Sequence, residues 1–213
     1  MTAGALRVAP ANTAGWTIRL LLPGEEAAVG RIIAMAFAAK YGPALRDDPA
    51  LAAALGAILP TGVPCYVGEQ AGVIGGTGLL RFHGQWIADG AETAAIWRTL
   101  RTRQSAWRAA GSLLRLSLLG ADGSVDRTSA YISSLAVDPA WQGQGLGGAL
   151  LDHLEAVSRA AGKTRLALHV VDSNSGARRL YERHGFQLAA TQRTLFTRQW
   201  GFGAQLYLVK PLN

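Results

Sequence analysis

The first half of the chain alternates short apolar runs with amphipathic segments. Residues 16–21 are predicted to form a strand, and residues 22–41 a helix whose apolar positions repeat at helical spacing. A shorter helix is predicted over residues 48–59. Two β-rich runs within residues 64–80 meet at a turn from Glu69 to Gly72, which predicts a hairpin.

The second half continues this mixture in a clearer order. The predicted elements are a strand, a helix, a strand, a helix and two antiparallel closing strands, at residues 130–137, 145–162, 164–171, 175–185, 186–193 and 204–210. A strand, a helix and a strand in succession form a right-handed crossover between parallel strands. We therefore expect a mixed α/β fold with one such unit over residues 130–171.

Composition indicates a globular protein. Hydrophobic residues make up 49% of the 213 residues and charged residues 16%, which is enough for a sizeable core. We predict one domain over residues 16–213 after a flexible leader over residues 1–15. No run of about 18 apolar residues predicts a membrane span, and the N-terminus lacks the apolar stretch of a signal peptide. Cys65 is the only cysteine and is predicted to lie buried in a strand, which fits a reducing compartment and a cytoplasmic location.

Four glycines lie within six residues at the start of the predicted helix 145–162: Gly143, Gly145, Gly147 and Gly148. The first turn of a helix presents unpaired backbone N–H groups and the positive end of the helix dipole. Glycines at this point let an anion approach the backbone closely, so the loop predicts a pyrophosphate site. Tight packing alone would also explain the glycines. The net charge of +7 is consistent with an anionic ligand.

Two common phosphate motifs fit this loop poorly. A P-loop needs Lys and then Ser or Thr after its last glycine, where this chain has Ala149. Gly143, Gly145 and Gly148 satisfy the G-x-G-x-x-G pattern of dinucleotide-binding domains, and Asp172 lies near the position of the expected ribose acid. However, the residues DPAWQ separate the strand from the first glycine, and the sequence predicts only one βαβ unit.

A longer pattern, Val137-x-Pro139-x-x-Gln142-Gly143-x-Gly145-x-Gly147, resembles motif A of the GNAT superfamily of acyl-CoA-dependent N-acyltransferases. Downstream, NSGARRLYERHGF (Asn174 to Phe186) resembles the family signature N-x-x-A-x-x-L/F-Y-x-x-x-G-F. The resemblance implies a GNAT-like α/β fold: a mixed, mostly antiparallel central sheet flanked by helices, with one parallel βαβ unit. It also implies transfer of an acetyl group from acetyl-CoA, as co-substrate and without a metal, by direct attack of a small-molecule or peptide amine.

The resemblance also implies where acetyl-CoA binds. In GNAT enzymes the strand before motif A splays from its neighbour, and acyl-CoA lies in the opening. The pantetheine arm would pair with the backbone of Leu135, Ala136 and Val137, while Asn174 and Ala177 would lie near the amide region of the cofactor. The implied pyrophosphate contacts are backbone N–H groups of the loop and the helix start: Gln142, Gly143, Gln144, Gly145, Leu146, Gly147 and Gly148.

The implied general acid is Tyr181, because a phenol is protonated at neutral pH and can donate to the leaving CoA thiolate. The base is less obvious, since the strand around Ser133 and Ser134 has no carboxylate where GNAT enzymes often carry one. A water chain past these serines is one candidate. His169 on the next strand is another, although a structural histidine would look the same. Without a base the chain would be a non-catalytic acyl-CoA-binding or sensor domain.

Residues 82–127 interrupt the pattern between the hairpin and the motif A strand. From Ile96 to Leu119 this insertion contains five arginines and no acidic residue, with apolar side chains at partly helical spacing. One or two helices with solvated arginines would explain it. Three functional roles stay open: an acceptor-site lid, a homodimer surface, or a contact with anionic lipid. Nucleic acid is not an expected partner, because no recognition motif accompanies the charge.

Overall fold

The computed structural model describes residues 11–13, 15–38, 45, 47–60, 62–85, 90–119, 125–193 and 203–212. Its strands are β1 (Ala11–Thr13), β2 (Trp16–Leu20), β3 (Cys65–Gln70), β4 (Val73–Arg81), β5 (Ser129–Val137), β6 (Arg165–Val171), β7 (Gln187–Gln192) and β8 (Gln205–Pro211). They form one sheet in the order β1-β2-β3-β4-β5-β6-β8-β7. Within this sheet β5 and β6 are parallel, whereas the other neighbours are antiparallel. The predicted fold class is confirmed.

Helices cover both faces of the sheet. Those in the described part of the chain are α1 (Glu26–Ala36), α2 (Pro49–Gly56), α3 (Gly90–Arg103), α4 (Ala106–Leu119), α5 (Leu146–Ala160) and α6 (Ser175–Arg183), with a 3-10 turn at Pro139–Trp141. Helix α2 begins where Asp48 accepts a hydrogen bond from the backbone N–H of Leu51 at 3.0 Å, which is a side-chain cap.

Two element boundaries differ from the sequence-based expectation. The predicted leader contains β1, which pairs antiparallel with β2 after a turn in which Gly15 has a φ of +82°. Helix α1 is shorter than the predicted helix 22–41, because its first turn starts only after the Pro23–Gly24 turn. Residues 1–10, 14 and 39–41 of these two predictions lie outside the described residues.

The predicted hairpin forms between β3 and β4. Ala71 and Gly72 are its two loop residues, and both have positive φ, +50° and +77°. Two such residues form the turn whose twist matches that of the flanking strands. Cys65 lies buried at the start of β3, as predicted, and burial raises the pKa of its thiol to about 11.

Side-chain alternation along the strands separates two apolar layers. Tyr66 of β3 and Leu80 of β4 pack with α5 and α6, together with the buried positions of β6 and β8. Their neighbours Cys65, Val67 and Leu79 point to the other face and pack with Val29 of α1. Helices α5 and α6 therefore cover one face, and α1 covers the other.

The insertion forms a further layer beyond α1. Leu100 of α3 and Ala109 of α4 are fully buried and pack with Leu51 of α2. Helix α2 in turn packs against α1, where Gly30 and Gly56 face each other so closely that a side chain at Gly56 would lie 2.8 Å from the carbonyl oxygen of Gly30. The two insertion helices thus rest on α2.

Candidate active site

The parallel strands β5 and β6 pair over only part of their length. Their register runs from Ser129 opposite Arg165 to Ile132 opposite Leu168 and then stops. Both strands continue beyond this point, β5 to Val137 and β6 to Val171. No described strand pairs with residues 133–137 on the β6 side, so the backbone groups on that edge of β5 face an opening. A ligand with amide groups can pair with such an edge as another strand would.

A β-bulge in β5 lies where the opening begins. Leu79 of β4 is opposite Ser134 and Leu80 is opposite Ile132, so Ser133 is the additional residue. Ile132 and Leu135 both contact the α5 side although they are three residues apart, because the bulge shifts the alternation.

The bulge also determines what the two candidate serines contact. The Ser133 hydroxyl donates to the carbonyl oxygen of Leu79 at 3.5 Å. The Ser134 hydroxyl is buried and has no hydrogen-bond partner among the described residues. A water molecule next to Ser134 would satisfy this hydroxyl.

The glycine loop connects the open end of β5 to α5. Asp138 caps the 3-10 turn by accepting from the backbone N–H of Ala140 at 2.9 Å. The side-chain amides of Gln142 and Gln144 donate to the carbonyl oxygens of Val137 and Ala140 at 3.3 and 3.1 Å. These two amides therefore fix the shape of the loop from within, and their contribution to an anion would come from the backbone.

The backbone of this loop forms a group of unused donors. Gly143 and Gly145 have φ of +77° and +83°, a conformation that other residues rarely adopt, and α5 begins at Leu146. In the described part of the chain, no hydrogen bond is donated by the backbone N–H groups of residues 143–148. Unused N–H groups at the positive end of a 15-residue helix are an arrangement that suits an anion.

Gly147 and Gly148 serve the packing of α6 against α5. A side chain at Gly147 would lie 3.3 Å from Leu180, and one at Gly148 would lie 3.3 Å from the His184 ring. These two glycines let α6 approach, whereas Gly143 and Gly145 provide the turn. The G-x-G-x-x-G match is therefore a coincidence of two different requirements. Asp172, the residue expected to bind ribose in that pattern, instead accepts from the backbone N–H of Gly203 at 3.0 Å.

Helix α6 starts with a side-chain cap. Asn174 accepts from the backbone N–H of Ala177 at 3.0 Å, so its carbonyl oxygen and the Ala177 N–H are occupied by each other. What these two residues can offer a ligand is the Asn174 amide NH₂ group and the Ala177 methyl group.

Tyr181 lies in the middle of α6, 6% exposed, with its ring against Phe186. Its hydroxyl makes no hydrogen bond to the described residues, and burial raises the pKa of Tyr181 to about 12. The phenol is therefore protonated at neutral pH and is able to donate.

The α1 face of the sheet carries a second group of polar residues, beside the paired part of β5 and β6. The Tyr131 hydroxyl and His169 Nδ1 are 2.8 Å apart, and the His169 ring lies 4.9 Å from that of Tyr207. They line a cavity of about 190 Å³ together with Asp126, Gln192 and three smaller or apolar residues, Val125, Ser129 and Ala167. Hydrogen bonds from Thr128 and Ser129 lower the pKa of Asp126 to about 2, so a carboxylate lies at the cavity.

Arg81 adds a positive charge beside Tyr131. Its side chain is 1% exposed, two of its nitrogens donate to the carbonyl oxygen of Gln85, and Nη1 has no hydrogen-bond partner among the described residues. The guanidinium carbon lies 5.6 Å from the centre of the Tyr131 ring.

Sequence reasoning named His169 but missed Tyr131, Tyr207 and Asp126. Tyr131 and His169 are 38 residues apart, and only the parallel register of β5 and β6 brings them together. The alternation of β5 provides a partial signal, because Tyr131 is on the opposite face from Ile132. No sequence signal identified Asp126, whose position depends on the loop before β5.

The profile of the acetyltransferase (GNAT) family matches residues 31–186, nearly three quarters of the chain. The chain belongs to the GNAT family. This match includes the open edge of β5, the glycine loop, α6 and the cavity residues Tyr131 and His169, whereas Gln192 and Tyr207 of the same cavity lie beyond it. The family resemblance first drawn from two short motifs is thus confirmed over most of the molecule.

Relatives of this GNAT chain are matched in part. A mycothiol acetyltransferase of Beutenbergia cavernae is 48% identical over 61 residues, which are 29% of this chain and 20% of the relative. A ribosomal protein bS18 alanine N-acetyltransferase of Escherichia coli is 37% identical over 84 residues, 39% of this chain and 57% of the relative. The matches thus span about half of the second relative and a fifth of the first.

Solved structures share the GNAT fold. The ribosomal protein S18 alanine N-acetyltransferase of Escherichia coli superposes with a TM-score of 0.59 at 21% identity, covering 93% of this chain and 94% of that one. A Salmonella typhimurium acetyltransferase, solved with acetyl-CoA, gives 0.56 at 20% identity, covering 93% and 95%. In the part of the chain that the structure describes, no helix is long and apolar enough to cross a membrane, and no three metal-ligating side chains cluster.

Proposed function

We propose that this GNAT chain is an N-acetyltransferase that binds acetyl-CoA in the opening between β5 and β6 and transfers the acetyl group to an amine. The observation that carries the proposal is the combination of an unpaired strand edge, residues 133–137, with unused N–H donors at residues 143–148. The strand edge suits an extended arm with amide groups, and the donors suit a pyrophosphate. Coenzyme A contains both groups in this order.

The residues that would hold acetyl-CoA follow from these contacts. The backbone of Leu135, Ala136 and Val137 would pair with the pantetheine arm, and the Asn174 amide and Ala177 methyl group would contact its far side. Backbone N–H groups of the glycine loop would surround the pyrophosphate: Gln142, Gly143, Gln144, Gly145, Leu146, Gly147 and Gly148. Of these, the Gln142 N–H lies 3.4 Å from the Pro139 carbonyl oxygen and is the least available.

The attacking amine must lose a proton, and we propose that Tyr131 and His169 receive it. The two groups share a hydrogen bond of 2.8 Å, so a proton delivered to either of them can be held on His169. The resulting imidazolium would donate to the Tyr131 oxygen. The Ser134 hydroxyl, buried at the bulge, could hold a water molecule on the way, and Ser133 shapes the bulge beside it. Strand β5 has no carboxylate that could act as the base, and this pair takes that role.

The departing thiolate needs a proton in return, and Tyr181 is the proposed donor. Its hydroxyl is protonated at neutral pH and has no competing hydrogen bond among the described residues. A backbone N–H group on the unpaired edge of β5 near Leu135 would stabilise the oxyanion that forms when the amine attacks.

The acceptor is proposed to enter from the α1 face through the 190 Å³ cavity. An ionised Asp126 and the rings of Tyr131, His169 and Tyr207 would attract a cationic amine before it is deprotonated. One relative is named as an alanine N-acetyltransferase of a ribosomal protein and another as a mycothiol acetyltransferase, so both peptide and small-molecule amines belong in the test. We further propose a cytoplasmic location.

A non-catalytic acyl-CoA-binding or sensor domain is the second candidate. The absence of a carboxylate from β5 favours it. The Tyr131–His169 pair and the Tyr181 phenol argue against it, because a binding domain needs neither.

The test is release of free CoA thiol from acetyl-CoA over a panel of amines that includes peptides with N-terminal alanine and small amino sugars. We expect acceptor-dependent release, and we expect Tyr181→Phe to lower kcat by about 100-fold or more at unchanged acetyl-CoA affinity. Tyr66→Phe is the matched control, since Tyr66 is similarly buried in the same layer, where its ring contacts that of His153, and it lies on β3 rather than on β5, β6 or α6. Tight acetyl-CoA binding without release for any amine would favour the sensor domain.

A further inference from the structure

Helix α4 is apolar on two opposite sides. Its inner side, with Ala109, Leu113 and Leu116, packs against α2 and α3. On its outer side Trp107 is 90% exposed and Leu114 is 62% exposed. These two residues are seven positions apart, two helical turns, and so lie on one line along the helix. A helix that only caps the core would carry polar residues there.

Arginines flank this outer line. Arg108 follows Trp107 and Arg115 follows Leu114, so each lies about 100° further around the helix on the same flank. Both are exposed, and no acidic side chain of the described chain forms an ion pair with either. Helix α4 itself contains no acidic residue. The surface therefore combines exposed apolar groups with uncompensated positive charge.

We propose that the outer face of α4 (Trp107, Arg108, Leu114 and Arg115) docks on an anionic lipid bilayer, with the helix lying flat in the headgroup region. Tryptophan prefers this region because its ring is apolar and its N–H is polar. Arginine places its apolar stem against the acyl chains and its charge at the phosphates. This attachment is peripheral and uses none of the residues proposed for acetyl transfer, so either proposal can fail alone.

Charge argues for lipid and against a second copy of the chain. In a two-fold interface through α4 each residue meets its own counterpart or that of a neighbour, which brings the arginines of both copies together without an acidic partner. An anionic bilayer instead presents negative charge to both arginines.

The experiment measures co-sedimentation of the full chain with phosphatidylcholine vesicles, with and without phosphatidylglycerol. We expect binding to the anionic vesicles only. The double variants Arg108→Gln/Arg115→Gln and Trp107→Ser/Leu114→Ser should each bind about tenfold more weakly or worse, since each basic residue near the surface contributes several-fold. Matched controls are Leu188→Ser, an equally exposed leucine on β7, and Arg31→Gln, an exposed arginine on α1; both should bind like the parent chain.

Quenching by brominated lipid locates the contact. Anionic vesicles with brominated acyl chains should quench part of the tryptophan emission, and Trp107→Phe should remove that quenched part. Equal binding to neutral vesicles, no binding at all, or variants that bind like the controls would each overturn the proposal. A dimer in solution that Trp107→Ser/Leu114→Ser dissociates would assign the face to a second copy instead, and an acidic peptide bound there without vesicle binding would assign it to a protein partner.

Discussion

His153 is an imidazole held in the apolar layer under α5. It is 3% exposed, its ring contacts that of Tyr66 with 4.9 Å between the centres, and neither ring nitrogen has a hydrogen-bond partner in the described part of the chain. Burial lowers the pKa of His153, because the charged form would lose its hydration. Tyr66, whose pKa burial raises to about 12, stays neutral and offers no compensating charge.

This burial predicts a loss of stability in mild acid. A lowered folded-state pKa means that the unfolded chain takes up the proton first, so the contribution of neutral His153 is complete above the ordinary value of 6.5 and is lost as the pH falls below it. The free energy of unfolding should fall by up to about 1.4 kcal/mol per pH unit from this group. The free energy of unfolding should be measured with urea at several pH values between 7 and 5. Its change with pH should be less steep for His153→Phe than for the parent chain. An unchanged slope would contradict the prediction, and His83→Gln controls for an exposed histidine.

Tyr131→Phe tests the proposed proton path. The substitution keeps the ring beside Arg81 and removes the hydroxyl that meets His169 at 2.8 Å. We expect kcat to fall about tenfold or more and the acid side of the pH–rate profile to shift, at unchanged acetyl-CoA affinity. Tyr207→Phe removes a phenol from the same cavity that does not form this hydrogen bond, and it should keep the parent pH profile. Identical profiles for both variants would exclude a role for the pair.

Single residues show how far motifs predict chemistry. The sequence predicted an anion loop from four glycines but could not distinguish the two that turn the chain, Gly143 and Gly145, from the two that admit α6. A glycine has no side chain in either case, so only the position of α6 separates these requirements. Asn174 is similar, since its use as a helix cap was not visible from its place in the signature.

At the scale of elements, Gly143→Ala separates conformation from contact in the glycine loop. Apart from its chain neighbours, no atom of the described residues lies within 4 Å of the position a Cβ would take there, so the cost is the φ of +77°. We expect about 1 kcal/mol of strain, which either lowers the stability or is relieved by a change in the loop conformation. In both cases acetyl-CoA binding, measured by calorimetry, should be weaker. Gly111→Ala in α4 also has open space but no positive φ, and it should stabilise the chain slightly and leave acetyl-CoA binding unchanged.

The strands and helices themselves were largely predictable, whereas the opening between β5 and β6 was not. Periodicity identified both strands because their buried residues are apolar. The point where their pairing ends depends on the bulge at Ser133, and a bulge has no sequence pattern of its own here, since Ser133 and Ser134 read as ordinary strand residues. The family resemblance implied the opening, and the physics of the strands alone did not.

For the whole molecule, the insertion was predictable as basic helices but its location was not. Periodicity identifies the apolar sides of a helix but does not tell which of them is buried, and α4 has two apolar sides. Which side packs depends on α2, whose Leu51 meets Leu100 and Ala109 far away in the sequence. The predicted roles of this layer, as a lid over the acceptor or as a surface, therefore stay predictions to be tested on the folded protein.

The layered packing predicts that acetyl-CoA binding and acceptor binding depend on two different apolar clusters. Leu100 and Leu154 are both fully buried, the first between α2, α3 and α4 and the second between α5 and β4, where it meets Gly78. Substitution of either leucine by alanine should cost about 2–5 kcal/mol of stability, so the pair is matched for destabilisation. Leu154→Ala should loosen the helix whose N-terminus is the proposed anion site, and it should therefore weaken acetyl-CoA binding. Leu100→Ala should leave that affinity intact and, if the insertion covers the acceptor, raise the acceptor KM.

Both the acetyl-CoA affinity and the acceptor KM are to be measured below the unfolding temperature of the weaker variant. Equal loss of acetyl-CoA affinity in both variants would mean that the layers are coupled, and an unchanged acceptor KM in Leu100→Ala would remove the lid.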